Sequence, residues 1–191
     1  MKALSLTQPW ADVILEQGKR VENREKWIAC KYRGPILLHA AAAVGTRSDV
    51  FDVLSMLHKV GVPDEWVEER FEAKARDGRG MMPVSTWYKP RPSLRLGGFV
   101  GRAEIVDVVR PSVLPRGVPA EQAFEEWVNV GNSSLPVQER RAQRRWWFGG
   151  FALVLDKVEP LPFVRWKGAL GLFEVPDDYT TRASHAEVSH G

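Results

Sequence analysis

Polar and apolar positions alternate from the start of the chain. Lys2-Ala-Leu-Ser-Leu-Thr7 has a period of two and predicts a short strand. Gln8-Pro9 ends it, and Pro9 suits the first turn of a helix, where its missing N–H is no loss. Trp10, Val13, Ile14 and Gln17 then share one helical face, and Gly18 is placed to stop the helix. Val21–Arg24 reads as a short extended piece, Arg33-Gly-Pro35 as a turn, and Ile36–Ala40 as a buried strand. Residues 47–76 are helical by pattern: Val50, Phe51, Val53, Leu54 and Leu57 give a 3.6-residue period, closed by Gly61 and restarted at Pro63-Asp-Glu65. Asp77–Pro92 reads as a long loop. Gly98–Val109 alternates well and predicts a strand, and Phe151–Leu155 and Leu170–Val175 read as strands too. Short helices are expected over Pro119–Trp127 and Val137–Arg145, with a polar, disordered tail after Pro176. Strands spread along a chain with few helices between them do not build a parallel βαβ sheet. The fold class they predict is α+β, a small mixed β-barrel decorated with helices.

Composition narrows this picture without naming a job. The 191 residues, 44% of them hydrophobic, suit one domain with a sizeable core. A single cysteine, Cys30, excludes an internal disulfide and a cysteine-rich zinc site, and no metal or cofactor is expected. Pro9, Trp10 and Asp12 interrupt any signal-peptide core, and no apolar run approaches the roughly 20 residues that span a bilayer. A soluble, cytoplasmic monomer is the expectation. The net charge of +3 is modest, but residues 48–77 hold eight acids against four bases, so the rest of the chain carries +7. That asymmetry fits a basic body that attracts phosphates beside an acidic appendage, or equally a solvated helix face on an average surface.

Several residues could carry chemistry. Alternation along Val21–Arg24 puts Glu22 and Arg24 on one face and Asn23 opposite. A lysine (Lys19), a carboxylate and a guanidinium converging on a cleft can hold a phosphate or read a base edge; from spacing alone, a surface ion-pair cluster explains them as well. Trp10, with Ser5 and Gln8 upstream, can stack on a base or pack the first helix. His39 closes an apolar strand as a general base or as a satisfied structural residue. Glu104 and Asp107 read as exterior salt-bridge partners. In Glu139-Arg-Arg-Ala-Gln-Arg-Arg-Trp-Trp147, Arg140 with Arg144 and Arg141 with Arg145 stand four apart, and Trp146 follows. Like charges so placed repel unless an anion neutralises them. Basic residues beside aromatics suit single-stranded nucleic acid, with Lys89, Arg91 and Arg95 extending the stripe; solvated arginines and core tryptophans are the plainer account.

Three ordered blocks resemble the ASCH family (activating-signal-cointegrator homology). The first holds Ala3–Trp10, Gly18-Lys-Arg-Val-Glu-Asn-Arg24 and Tyr32–Ala40; the second is Phe99–Asp107; the third is Trp147–Leu155, Pro160-Leu-Pro and Lys167–Val175. Lys19, Glu22 and Arg24 match the family's lysine, glutamate and arginine spacing, while the glycine usually two before the lysine is Gln17 here. The resemblance implies a PUA-like barrel over residues 1–176, with insertions at about 43–95 and 111–146 and a flexible 177–191 tail. It also implies a cleft around Lys19, Glu22 and Arg24 that takes nucleic acid, single-stranded RNA before DNA, or a nucleotide. Some family members are hydrolases, of the ribonuclease or acetylcytidine amidohydrolase type. In that alternative Lys19 and Glu22 are the catalytic residues, although the amidohydrolase type has a threonine at the position of Glu22. A third reading makes the acidic segment a protein-interaction scaffold.

Overall fold

Alternation along the strands sorts side chains into two apolar layers. The computed structural model describes residues 1–24, 30–75, 86–109, 120–130, 134–148 and 151–176. In β1 (Lys2–Leu6), Leu4 and Leu6 join one buried cluster while Ala3 joins another. The same split recurs in β3 (Gly34–Ala40), with Leu38 on the first side and Leu37 on the second. β1 and β3 run parallel, with Ser5 opposite His39. The other strands are β2 (Val21–Arg24), β6 (Gly98–Val109), β7 (Phe151–Arg165) and β8 (Leu172–Glu174), all antiparallel to their neighbours. The six-stranded order is β2-β7-β6-β3-β1-β8. Register shifts along β6–β7 and at Leu38/His39 bend the ladders, as bulges do, and the sheet curls into a half-barrel. Among the described residues β2 and β8 do not pair, and the small mixed β-barrel expected from the sequence takes the form of this half-barrel.

α1 (Trp10–Glu16) lies against the sheet through buried Ala11, Val13 and Ile14. α2 (Arg47–Lys59) starts at a capping box between Thr46 and Asp49, and the chain turns out of it at Gly61 in the left-handed region, φ +81. α3 (Asp64–Glu68) follows as the sequence predicts. From there the prediction is overturned: β4 (Phe71–Ala75) pairs with β5 (Thr86–Pro90) as a two-stranded antiparallel sheet, where a helix end and a loop were expected. Glu, Lys and Ala favour helix locally, but burial of Phe71 and cross-strand pairing decide the outcome. β7 also runs ten residues past its predicted end at Leu155. Pro160 and Pro162 are tolerated because beyond Leu155 the strand has β6 on one side only.

α4 (Ala120–Asn129), α5 (Val137–Ala142) and a 3₁₀ turn (Gln143–Trp146) complete the described chain. Val50, Leu54, Leu57, Trp66, Phe124, Trp127, Trp146 and Trp147 form one apolar cluster with Val13 of α1 and Val154 of β7. The helical segments thus share a core with the sheet. The predicted tail lies outside the described residues. Among those described, no helix is long and apolar enough to cross a membrane.

Candidate functional site

Gly18, at φ +71, ends α1 in a conformation that favours glycine, and a tight turn leads into β2. Gln143 holds that turn from both ends. Its Oε1 accepts from the Arg20 N–H at 2.6 Å, and its Nε2 donates to the Gly18 carbonyl at 3.1 Å. Lys19 is swept inward and is 1% exposed. Its Nζ donates to the Val21 carbonyl and to Glu22 Oε2 at 3.1 Å, and stands 5.3 Å from the centre of the Trp10 ring. Glu22 Oε1 is in turn 3.5 Å from an Arg24 Nη2 that is buried and makes no hydrogen bond among the described residues. Lys19, Glu22 and Arg24 thus form a chain of alternating charge running outward along β2.

Asn23 projects the other way, as alternation requires. Its Nδ2 donates to the Trp146 carbonyl at 2.7 Å and its Oδ1 accepts from the Phe148 N–H at 3.0 Å. That clamp sets the exposed Phe148 ring 5.9 Å from Trp10. Of the aromatic run Trp146-Trp147-Phe148, only Phe148 remains at the surface.

Arg24 opens into a cleft of about 640 Å³ that also takes in Ser5, Thr7, His39, Arg165 and Lys167, with the 168–171 backbone as one wall. Among the described residues, three cationic side chains and no acidic one line it. His39, 2% exposed, closes the floor. Its Nδ1 lies 3.1 Å from Ser5 Oγ and its Nε2 3.0 Å from the Trp166 carbonyl oxygen, while Phe99 and Phe173 meet the ring edge-on. A Cβ on Gly168 would come within 2.3 Å of His39 Cε1, so the loop can lie flat on the imidazole only as glycine.

Burial strips Lys19 of solvent and lowers its pKa; Glu22 opposes the shift, and Arg24 adds to it. The unfolded chain then binds more protons than the native one between the lowered value and an ordinary lysine's, about 10.4. Stability should therefore rise with pH through that window. Urea unfolding of wild type and Lys19→Met at matched pH values checks this: the wild-type curve gains on the variant's as pH climbs. Parallel curves would mean that the amine carries no such shift.

The structure gathers Ser5, His39 and Arg24 at the cleft, with Lys19 and Glu22 behind Arg24 and Trp10 beside Lys19. It does not gather the rest. Gln8 is 1% exposed and ties Asp12 to the Arg95 carbonyl, so it holds α1 rather than a ligand. The predicted basic-aromatic stripe is broken up by the 3₁₀ turn. Arg140 is buried, donating to the Trp127 and Val130 carbonyls, and Trp146 is fully buried. Arg144 pairs with Glu121, and Arg145 donates to the Gln17 carbonyl while lying over the Trp146 ring. Arg141 alone of the four is exposed without such a tie among the described residues. Arg95 turns towards Asp12, 3.8 Å away. Glu104 and Asp107 do pair at the surface, with Lys157 and Arg33. Sequence reasoning missed Thr7, Arg165, Lys167 and Phe148. The signal for two of them was present in Arg165-Trp-Lys-Gly168, cations on either side of a tryptophan just before a glycine.

No protein-family model matches the sequence, and no curated protein matches it. Among solved structures the chain is similar to a mutant of the ZmASCH protein from Zymomonas mobilis, at 13% identity and a TM-score of 0.42, over 98% of this chain and 94% of that one.

Proposed function

We propose that this chain is an ASCH-type nucleic-acid-binding domain whose cleft takes a phosphate-bearing unit of a single strand, RNA before DNA. One observation carries the reading: among the described residues, Arg24, Arg165 and Lys167 share a cleft with no acid in its lining, and a buried nitrogen of Arg24 has no hydrogen-bond acceptor. A guanidinium left short of an acceptor beside two further cations is a site for a phosphate oxygen. Glu22, held by Lys19, fixes where that guanidinium sits without entering the cleft lining. Trp10 and Phe148 offer neighbouring rings on which a base can stack.

Fluorescence polarisation of labelled single-stranded RNA and DNA tests this at several salt concentrations. Arg24→Ala should weaken binding about tenfold, near 1.4 kcal/mol, and reduce the slope of log K against log salt by about 0.7 per lost phosphate contact. Unchanged affinity and slope would sink the proposal, as would equal binding of a nucleoside with no phosphate.

A hydrolase built on Lys19 and Glu22 is the second reading, favoured by the lowered basicity of the Lys19 amine. That amine is enclosed by the Val21 carbonyl, Glu22 and Trp10. In this arrangement it acts on a ligand through Glu22 and Arg24, which suits support of a binding site better than attack.

A further inference from the structure

Ser5 and His39 are direct partners across the parallel pair β1–β3, and both line the cleft. Their hydrogen bonds fix the proton positions. The Trp166 carbonyl oxygen, 3.0 Å from Nε2, can only accept, so Nε2 carries the proton. In the neutral ring Nδ1 is then the nitrogen with the lone pair, and the Ser5 hydroxyl, 3.1 Å away, is its donor. Phe99, Phe173 and the Gly168 backbone hold the ring on its sides, so this tautomer and this orientation persist. No described group donates to Ser5 Oγ, whose own lone pairs are left to whatever enters the cleft. A hydroxyl on an acceptor imidazole, itself oriented by a third group, is the arrangement that activates a serine nucleophile. Here a backbone carbonyl stands where a triad has its carboxylate.

We propose that Ser5 is a nucleophile activated by His39 and that the phosphodiester held by Arg24, Arg165 and Lys167 is its electrophile. The proposal rests on the phosphate reading of the cleft. Ser5 Oγ forms a bond to phosphorus as its proton passes to His39 Nδ1; the bond from phosphorus to one ester oxygen breaks, and that oxygen takes the proton and leaves as an alcohol. Water then attacks the phosphorus of this diester, which still joins Ser5 to the remaining strand, giving its proton to Nδ1. The P–Oγ bond breaks, and the proton returns to Ser5. The three cations balance the negative charge on the transferring group. No 2′-hydroxyl takes part, so DNA and RNA are both substrates.

The full chain is treated with a fluorophosphonate probe and mapped by peptide mass, while labelled single-stranded DNA and RNA are followed on gels. The expected result is one adduct, on Ser5, abolished by Ser5→Ala and slowed at least tenfold by His39→Asn, with both polymers cut by wild type only. Should His39→Asn fail to fold by circular dichroism, Ser5→Cys replaces it. Its new thiol should react with iodoacetamide at least tenfold faster than buried Cys30, and an equal or slower rate overturns the proposal. Oligonucleotide binding with no adduct overturns the nucleophile and leaves the phosphate cleft standing. An adduct in a protein that binds no oligonucleotide supports the nucleophile and overturns its phosphodiester substrate together with the reading beneath it.

Discussion

Trp146→Ala is expected to lower the unfolding free energy by about 3–5 kcal/mol, whereas Trp146→Phe should cost less than about 1.5 kcal/mol. The tryptophan is fully buried in the cluster that joins the helical segments to the sheet, so truncation leaves a cavity the size of an indole. Phenylalanine keeps a ring there and removes the indole Nε1, which is buried without a hydrogen-bond partner among the described residues. Deleting an unsatisfied donor recovers part of what the smaller ring loses. Urea unfolding of the three proteins measures the order. The same pair separates packing from recognition: Trp146→Phe should leave oligonucleotide affinity unchanged, while Phe148→Ala, at the exposed ring beside Trp10, should reduce it. A large loss of affinity in Trp146→Phe with stability intact would mean that the indole meets the ligand after all.

That contrast shows where the sequence was legible. Period-two alternation gave β1 and β6 at nearly their observed bounds, and the compact apolar run Ile36–Ala40 gave β3, which is buried on both faces and begins two residues earlier, in the expected turn. The motif was legible for the same reason: alternation alone separates Glu22 and Arg24 from Asn23. What alternation cannot give is the partner. Asn23 turned away from the cleft clamps Trp146 and Phe148, more than a hundred residues on, and Gln143 reaches back to Gly18 and Arg20. Arg140–Arg145 read as one charged helix face only while a 3.6-residue period is assumed throughout. The switch to a 3₁₀ turn at Gln143 rotates Arg144 and Arg145 apart, and buried carbonyls that need a donor draw Arg140 inward. The stretch therefore braces the motif from behind. The β4–β5 pair escaped notice because Glu72–Ala75 favour helix locally, Thr86–Pro90 lie in a stretch that reads as loop, and their pairing is not a local property.

Arg70→Ala is expected to cost about 3 kcal/mol, read as a fall in Tm of roughly 6–12 °C for a chain of this size. Arg70 follows α3 and reaches back to α1. Its Nε donates to Asp12 Oδ2 at 3.2 Å, its Nη2 to Glu16, and its Nη1 to the Trp66 carbonyl at 3.0 Å, while the guanidinium lies 3.9 Å from the centre of the Trp66 ring. Asp12 is 2% exposed and would be left with Gln8 and the more distant Arg95 as its only charged or amide partners among the described residues. Removing one member of a buried pair strands the other's charge, which costs more than the pair itself contributes. Arg70→Lys keeps the charge but loses the fork that serves two carboxylates at once, so it should recover less than half of the loss. In the double-mutant cycle with Asp12→Asn, the two changes should fall short of additivity by at least 1 kcal/mol. Additive costs would show that Arg70 and Asp12 are not coupled, and that Glu16, which accepts from Arg70 and from Trp66 Nε1, carries the polar tie to α1. The coupling matters for the site because α1 carries Trp10 and ends at Gly18, the glycine from which the chain turns to bury Lys19. A loosened Arg70 network should therefore weaken oligonucleotide binding in Arg70→Ala even below its melting transition, although Arg70 lies outside the cleft lining.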